Sequence, residues 1–187
     1  MSGKNFETAT LGGGCFWCVE AIFRCLKGVE NVVSGYAGGT VADPLYEQVC
    51  RGTTGHAEVV QISYDPEEIS FEQLLAVFWS THDPTTRNRQ GHDSGPQYRS
   101  IIFYHSEEQR IAAEESKREA DASGAWAAPI VTEIVPFTAF YKADWRHQEY
   151  YLTHPEEAYC QVVIDPKLGK LRRMFQGMLK DELQGGG

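Results

Sequence analysis

Apolar residues recur at Val19, Ile22, Phe23 and Leu26. That is the spacing of one helix face, and it predicts a helix over 15–27 that Gly28 ends. A short strand over 8–11 leads into it through the turn Gly12–Gly14, and a second strand follows over 30–35. Gly35-Tyr36-Ala37-Gly38-Gly39 then opens a long loop to Gly55, and loops of that length in compact domains are usually functional. Residues 57–64 (AEVVQISY) are apolar and β-branched and suit a buried strand. Ser70 with Gln73 forms a capping box that starts a helix ending about Ser80. A polar loop over 82–97 precedes a strand over 98–104. Ser106 and Gln109 form another capping box, for a helix to about Ser123. Further strands are expected over 130–135 and 161–164, a short helix from Trp145 to Tyr151, and a basic helix over 167–176. The Gly185–Gly187 end is expected to be disordered.

Strands and helices interleave, yet at least two adjacent strands have no helix between them. That pattern favours an α+β fold: a two-layer sandwich with a central mixed β-sheet, a ferredoxin-like core and long functional loops, rather than a doubly wound parallel sheet. Nothing in the pattern divides the chain, so a single catalytic domain over 1–187 is expected, with its core about 7–176 and a tail over 177–187.

Composition narrows the class. The 187 residues are 42% hydrophobic and 12% aromatic, enough for a full core. The net charge of -9 argues against nucleic acid or an anionic membrane as partner. No apolar run approaches a membrane span, and residues 1–10 contain no signal-peptide core. Five cysteines without a disulfide-framework spacing fit a reducing compartment, hence a cytoplasmic location.

The chemistry concentrates in Gly12-Gly13-Gly14-Cys15-Phe16-Trp17-Cys18-Val19-Glu20. A helix N-terminus presents unpaired N–H groups and partial positive charge, which predicts a lowered pKa and a nucleophilic thiolate at Cys15. Cys18 lies three residues on, about 5 Å away along a helix and within disulfide reach. Phe16 and Trp17 would wall the thiol with apolar surface. Glu58 heads an apolar strand, where a carboxyl tends to a raised pKa and can serve as a general acid; from its segment alone an exposed strand-end carboxylate is the commoner outcome. Tyr36 and Tyr46 are phenolic donors or packing residues. Asp93 and Tyr98 lie five apart in a glycine-flanked loop that, alone, reads as a turn. A zinc knuckle would need a second close ligand pair, whereas Cys25, Cys50 and Cys160 are scattered. No metal or cofactor is expected.

Gly14-Cys15-Phe16-Trp17-Cys18-Val19-Glu20 resembles the signature of the peptide methionine sulfoxide reductase A family. Gly35–Gly39, Pro44-Leu45-Tyr46, Thr54–Glu58, Phe78–Pro84 and Gly91–Ser100 match family blocks in the family's order, so the likeness covers roughly residues 7–165. The resemblance implies that Cys15 attacks the sulfoxide sulfur, Glu58 protonates the oxygen, and Tyr46 and Tyr98 hydrogen-bond that oxygen as charge develops. Phe16 and Trp17 would cradle the substrate methyl group, and Asp93 would order the pocket water and the substrate amide. Methionine would leave, Cys15 would become a sulfenic acid, a second thiol would condense with it, and thioredoxin would reduce the disulfide. Substrates would be the S epimer of methionine sulfoxide, free or in oxidised proteins, with damage repair as the outcome.

Many family members carry the resolving thiol in a flexible, glycine-rich C-terminal coil. Here Cys160 takes that place, in an Ala158–Ile164 run that lacks glycine and reads as a strand. Cys18, one helical turn from Cys15, is therefore favoured as the resolving cysteine, with Cys160 as second candidate. Two other functions compete. A thioredoxin-like disulfide oxidoreductase would use the C-x-x-C, but no proline sits in a context for the cis-Pro loop such a fold needs. A non-catalytic methionine- or peptide-binding module could dispense with Cys15 or Glu58, and this chain keeps both.

Overall fold

The structure, a computed structural model, describes residues 3–184; the Gly185–Gly187 end lies outside the described residues. In chain order it runs β1 (Glu7–Gly12), α1 (Phe16–Arg24), β2 (Val29–Ala37), α2 (Tyr46–Cys50), β3 (Ala57–Tyr64), α3 (Phe71–Ser80), β4 (Arg89–Gln90), β5 (Asp93–Ser94), β6 (Ile101–Tyr104), α4 (Glu107–Ala122), β7 (Glu133–Pro136), β8 (Phe140–Lys142), α5 (Tyr150–Thr153) and α6 (Asp165–Phe175). Six strands form one sheet in the order β7-β6-β1-β3-β2-β8. Every neighbouring pair is antiparallel except β6 with β7. The fold is α+β with a mixed sheet, as the interleaved pattern implies. No helix among the described residues is long and apolar enough to cross a membrane.

The alternation of β3 positions the chemistry. Successive strand residues face opposite sides of a sheet. Val60, Ile62 and Tyr64 pack into the large core with Phe16, Ile22 and Phe23 of α1. Ala57 and Val59 join a smaller cluster with Ile101 and Phe103 on the other face. Glu58 shares parity with Val60, so its carboxyl is carried to the helix-covered face. The Ser70 cap forms as expected: its hydroxyl accepts from the Gln73 amide at 3.1 Å while Gln73 Oε1 accepts from the Ser70 amide at 2.9 Å. The box at Ser106 is only half made. Ser106 accepts from the Gln109 amide, but Gln109 accepts from the His105 amide and donates to the Thr8 carbonyl. Its second half thus ties α4 to β1.

Several boundaries differ from the expectation. The long loop expected from Gly35 to Gly55 begins only at Gly38, because β2 runs to Ala37, and it contains α2. The polar loop over 82–97 holds the small β4–β5 pair, and Pro96–Tyr98 is a 3-10 turn rather than the start of β6. The expected 145–151 helix is two pieces, a 3-10 turn over Trp145–His147 and α5, separated where Glu149 takes a left-handed φ of 54°. The expected strand over 161–164 is not a strand. Cys160–Ile164 is a π-helical turn that runs directly into α6. Its β-branched residues mimic a strand, whereas Pro166 lacks an N–H to close the ordinary bond one turn back, which suits a wider turn at this point. Residues beyond 176 dock on the end of α1: Leu179 is buried and bridges Leu26, and the Lys180 amide donates to the Cys25 carbonyl.

Candidate active site

Cys15 occupies the N-cap of α1, immediately after a turn in which Gly14 has φ 97°. A Cβ at Gly14 would fall 2.7 Å from Gln90 Cγ, so glycine lets β4 pack against the turn that carries Cys15. Beneath the turn, His82 is buried and bonded through Nδ1 to the Phe78 carbonyl and through Nε2 to Ser100. Burial pushes its pKa down to about 4, so it is a neutral strut.

Burial decides the electrostatics. Cys15 is 7% exposed, Cys18 1% and Glu58 1%. The Phe16 amide donates to Glu58 Oε1 at 3.2 Å, while Oε2 is buried with no partner among the described residues. Desolvation lifts the Glu58 pKa to about 8 against the pull of the Phe16 amide, so the group is a carboxylic acid near neutrality. The raised pKa foreseen for this strand position is present. The lowered pKa expected at Cys15 is not. Burial, then the neighbouring Glu58 and Cys18, push the thiol well up, and the Trp17 amide and the Tyr159 hydroxyl only partly offset them. The helix terminus acts in the expected direction, but desolvation outweighs it. The resting pair is therefore a neutral thiol beside a neutral acid.

The sequence-derived residues do converge. Phe16 packs against Tyr36 and Tyr46, with ring centroids 5.6 and 6.5 Å away. Tyr46 starts α2, and Tyr98 ends the 3-10 turn that Arg99 fastens to the turn before β3 through the Gly55 carbonyl. Burial raises the pKa of both phenols, with the Glu58 charge adding to it, so both remain proton donors. Asp93 sits on β5, but its carboxylate accepts from the Tyr159 hydroxyl at 2.7 Å.

Three contributors lay outside the sequence reading. His147 accepts from Trp17 Nε1 at 3.3 Å and lies 4.2 Å from the Tyr46 ring. Tyr150 stacks on Trp17 at 3.7 Å. Tyr159 meets the Trp17 ring edge-on at 5.7 Å, and its hydroxyl lies 3.5 Å from Cys18 Sγ. All three belong to the wrap over 145–160. Glu20 and Gln148 hold that wrap down: buried Glu20 accepts from the Glu149 amide at 3.0 Å, and Gln148 bonds both the amide and carbonyl of Ser34. Glu20, a carboxyl in the opening motif that the fold buries, was a signal in the sequence that something docks there. Beside Tyr46, His147 and Tyr150 opens a cleft of about 490 Å³, with Trp145, 82% exposed, on its lining.

Cys160 is fully buried, near enough to Cys18 for the two charges to oppose each other. Cys25 is half-buried and Cys50 exposed. Among the described residues no three His, Cys, Asp or Glu side chains are grouped to hold a metal ion.

Two thiols one turn apart, a protonated carboxyl and two phenols around an apolar floor form the site of a thiol-dependent oxidoreductase. The comparisons with known proteins agree. The family model for peptide methionine sulfoxide reductase matches residues 7–178, and the chain belongs to that family. A peptide methionine sulfoxide reductase MsrA of Thermus thermophilus is 52% identical over 174 residues, 93% of this chain and 98% of that protein. Among solved structures, Mxr1 from Saccharomyces cerevisiae in reduced form aligns with a TM-score of 0.76 at 36% identity, covering 83% of this chain and 89% of that one. Mxr1 in complex with Trx2 aligns with a TM-score of 0.53 at 29% identity, covering 78% and 84%.

Proposed function

We propose that this protein reduces the S epimer of methionine sulfoxide, free and in proteins, to methionine, and that thioredoxin restores the enzyme. The observation that carries the reading is the Cys15–Glu58 pair. Glu58 Oε1 accepts the Phe16 amide, so the acidic proton belongs on Oε2, the oxygen with no partner among the described residues. A sulfoxide oxygen placed there accepts that proton while Tyr46 and Tyr98 donate to it. The Cys15 sulfur attacks the sulfoxide sulfur and its proton passes to Glu58, so the acid is regenerated within the pair. Oxygen ends on Cys15 as a sulfenic acid and methionine departs. Phe16 and Trp17 form the apolar cradle for the methyl group, and Asp93 orders the polar side of the pocket.

Cys18 is the proposed resolving thiol and Cys160 the second candidate. Cys160 is held inside a π-helical turn that continues into α6, and delivering it to Cys15 means unwinding that turn. Cys18 starts one turn from Cys15 on the same helix. The Mxr1–Trx2 complex supports thioredoxin as reductant. No cofactor is needed, since the electrons come from thiols.

The strand order β6-β1-β3-β2, with α1 and α3 in the crossovers, supports a ferredoxin-like core. One catalytic domain over 1–187 is the matching organisation, its core of about 7–176 extended by the buried Leu179. Five cysteines and a mechanism that starts from free thiols support a reducing, cytoplasmic setting.

The test is one turnover. Reduced enzyme is mixed with one equivalent of each methionine sulfoxide epimer, and product methionine and the protein disulfide are quantified by mass. One methionine from the S epimer, with a Cys15–Cys18 disulfide that thioredoxin removes, is expected. Formation of methionine without any loss of Cys15 thiol would overturn the reading.

A further inference from the structure

The Cys18 thiol has no route to water of its own. It is 1% exposed, and burial holds its pKa above the ordinary thiol value. Yet it must lose its proton to act, because the thiolate is the attacking species in disulfide formation. The only hydrogen-bond partner of its sulfur among the described residues is the Tyr159 hydroxyl at 3.5 Å. That hydroxyl donates to Asp93 Oδ2 at 2.7 Å, which leaves its oxygen free to accept from the Cys18 S–H. Asp93 is only half-buried and stands at the edge of the site.

We propose that Tyr159 and Asp93 form a proton relay that activates Cys18 for the second half of the reaction. The proposal rests on Cys18 being the resolving cysteine. As Cys18 attacks the sulfenic sulfur of Cys15, its proton passes to the Tyr159 oxygen and the phenolic proton of Tyr159 passes to Asp93. The S–S bond forms as the S–O bond breaks. The departing hydroxide takes the Glu58 proton and leaves as water, and Asp93 and Glu58 then re-equilibrate with solvent. The Cys18 sulfur is oxidised and the sulfenic sulfur of Cys15 reduced, with no other reactant. Tyr159 thus serves the resolving step without touching the substrate sulfur.

The titratable groups facing Cys18 are Cys15 on α1, Glu58 on β3, Asp93 on β5, Tyr159 and Cys160 at the π-turn, and Lys167 on α6. Lys167 favours the thiolate, whereas the two carboxyls oppose it. Attraction to Lys167 stabilises the product of the proton transfer but offers no acceptor for the proton. The chain through Tyr159 supplies one.

Single-turnover quench experiments separate the two steps. Reduced Tyr159→Phe keeps the ring against Trp17 but removes the relay oxygen. Mixed with one equivalent of methionine sulfoxide at pH 7, it should accumulate a sulfenic acid that dimedone traps. Its Cys15–Cys18 disulfide should form roughly 10-fold or more slowly than in wild type, and by a larger factor than any slowing of methionine release. In wild type the disulfide step should carry a solvent deuterium isotope effect, because protons move along the chain as the S–S bond forms, and that effect should change in Tyr159→Phe, a change that lost packing alone would not bring about. Asp93→Asn, which keeps the shape and removes the acceptor, should show the same trapped intermediate and the same altered isotope effect. A disulfide rate and isotope effect equal to wild type in Tyr159→Phe would overturn the relay. Mapping the disulfide of the wild type to Cys15–Cys160 would overturn the Cys18 assignment beneath it, and the relay with it.

Discussion

The two halves of the site are built differently. The half that carries the proposed nucleophile, called the nucleophile half, comprises Cys15, Phe16, Glu58 and the turn before α1, and it stands on the central strands β1 and β3 and on the first residues of α1. Its contacts are backbone-directed and buried, as in the Phe16 amide bond to Glu58. The wrap half, His147, Tyr150, Tyr159 and Cys160, arrives from a segment of short turns held by side-chain bonds from Glu20 and Gln148. The difference matches the division of labour. Attack on the sulfoxide needs fixed geometry, which a sheet and helix supply. Reduction of the resulting disulfide must open the site to a protein reductant, and a segment pinned by a few polar contacts is the half that can yield.

Substitutions that separate the halves should follow that division. The largest effect is expected at Cys15: Cys15→Ser should abolish methionine formation, with a loss of at least ~10³-fold even with dithiothreitol as reductant, because a neutral hydroxyl is a poor nucleophile. Residual activity near wild type would remove the nucleophile half from the chemistry altogether.

Glu58→Gln should slow the chemical step by roughly 10²-fold with little change in substrate binding. Wild-type single-turnover rates should also fall as pH rises past about 8, where Glu58 loses its proton; the Gln variant should lack that limb. The same shift has a stability consequence. A carboxyl whose folded pKa is raised holds more protons folded than unfolded between about 4.5 and 8, so it costs stability as pH rises through that window. The melting-temperature advantage of Glu58→Gln should therefore grow from pH 5 to pH 8. An advantage that stays flat over that range would mean that Glu58 is already ionised.

The thiols sharpen the comparison further. Cys18→Ser should release one methionine per enzyme, then stall with thioredoxin and still turn over with dithiothreitol. Cys160→Ser should turn over with thioredoxin within roughly 3-fold of wild type, since a buried packing thiol contributes little to rate. The reverse pattern would make the wrap the resolving half.

The smallest effect should come from loosening the wrap alone. Glu20→Ala removes the acceptor for the Glu149 amide and should cost ~1–3 kcal/mol of stability, read by urea denaturation. It should raise KM a few-fold while leaving the single-turnover rate at saturating substrate nearly intact. An equal fall in that rate would show that the wrap positions the nucleophile as well.

The nucleophile half was legible in the chain because its logic is local. Glycines before Cys15, helical spacing after it, and the parity of Glu58 within an apolar strand each follow from periodicity over a few residues. The mixed sheet was legible for the same reason. What periodicity cannot carry is the balance of solvation. The same helix start that favours a thiolate is buried against Glu58, and only the packed fold shows that desolvation wins at Cys15 and at Glu58 alike. The wrap was illegible for a related reason. Val162, Val163 and Ile164 have strand-like side chains, but Pro166 and the run of α6 that follows draw them into a helical turn. Tyr159 reaches Cys18, and His147 and Tyr150 reach Trp17, across more than a hundred residues of chain, and such contacts depend on where the sheet and α1 leave room rather than on any local pattern.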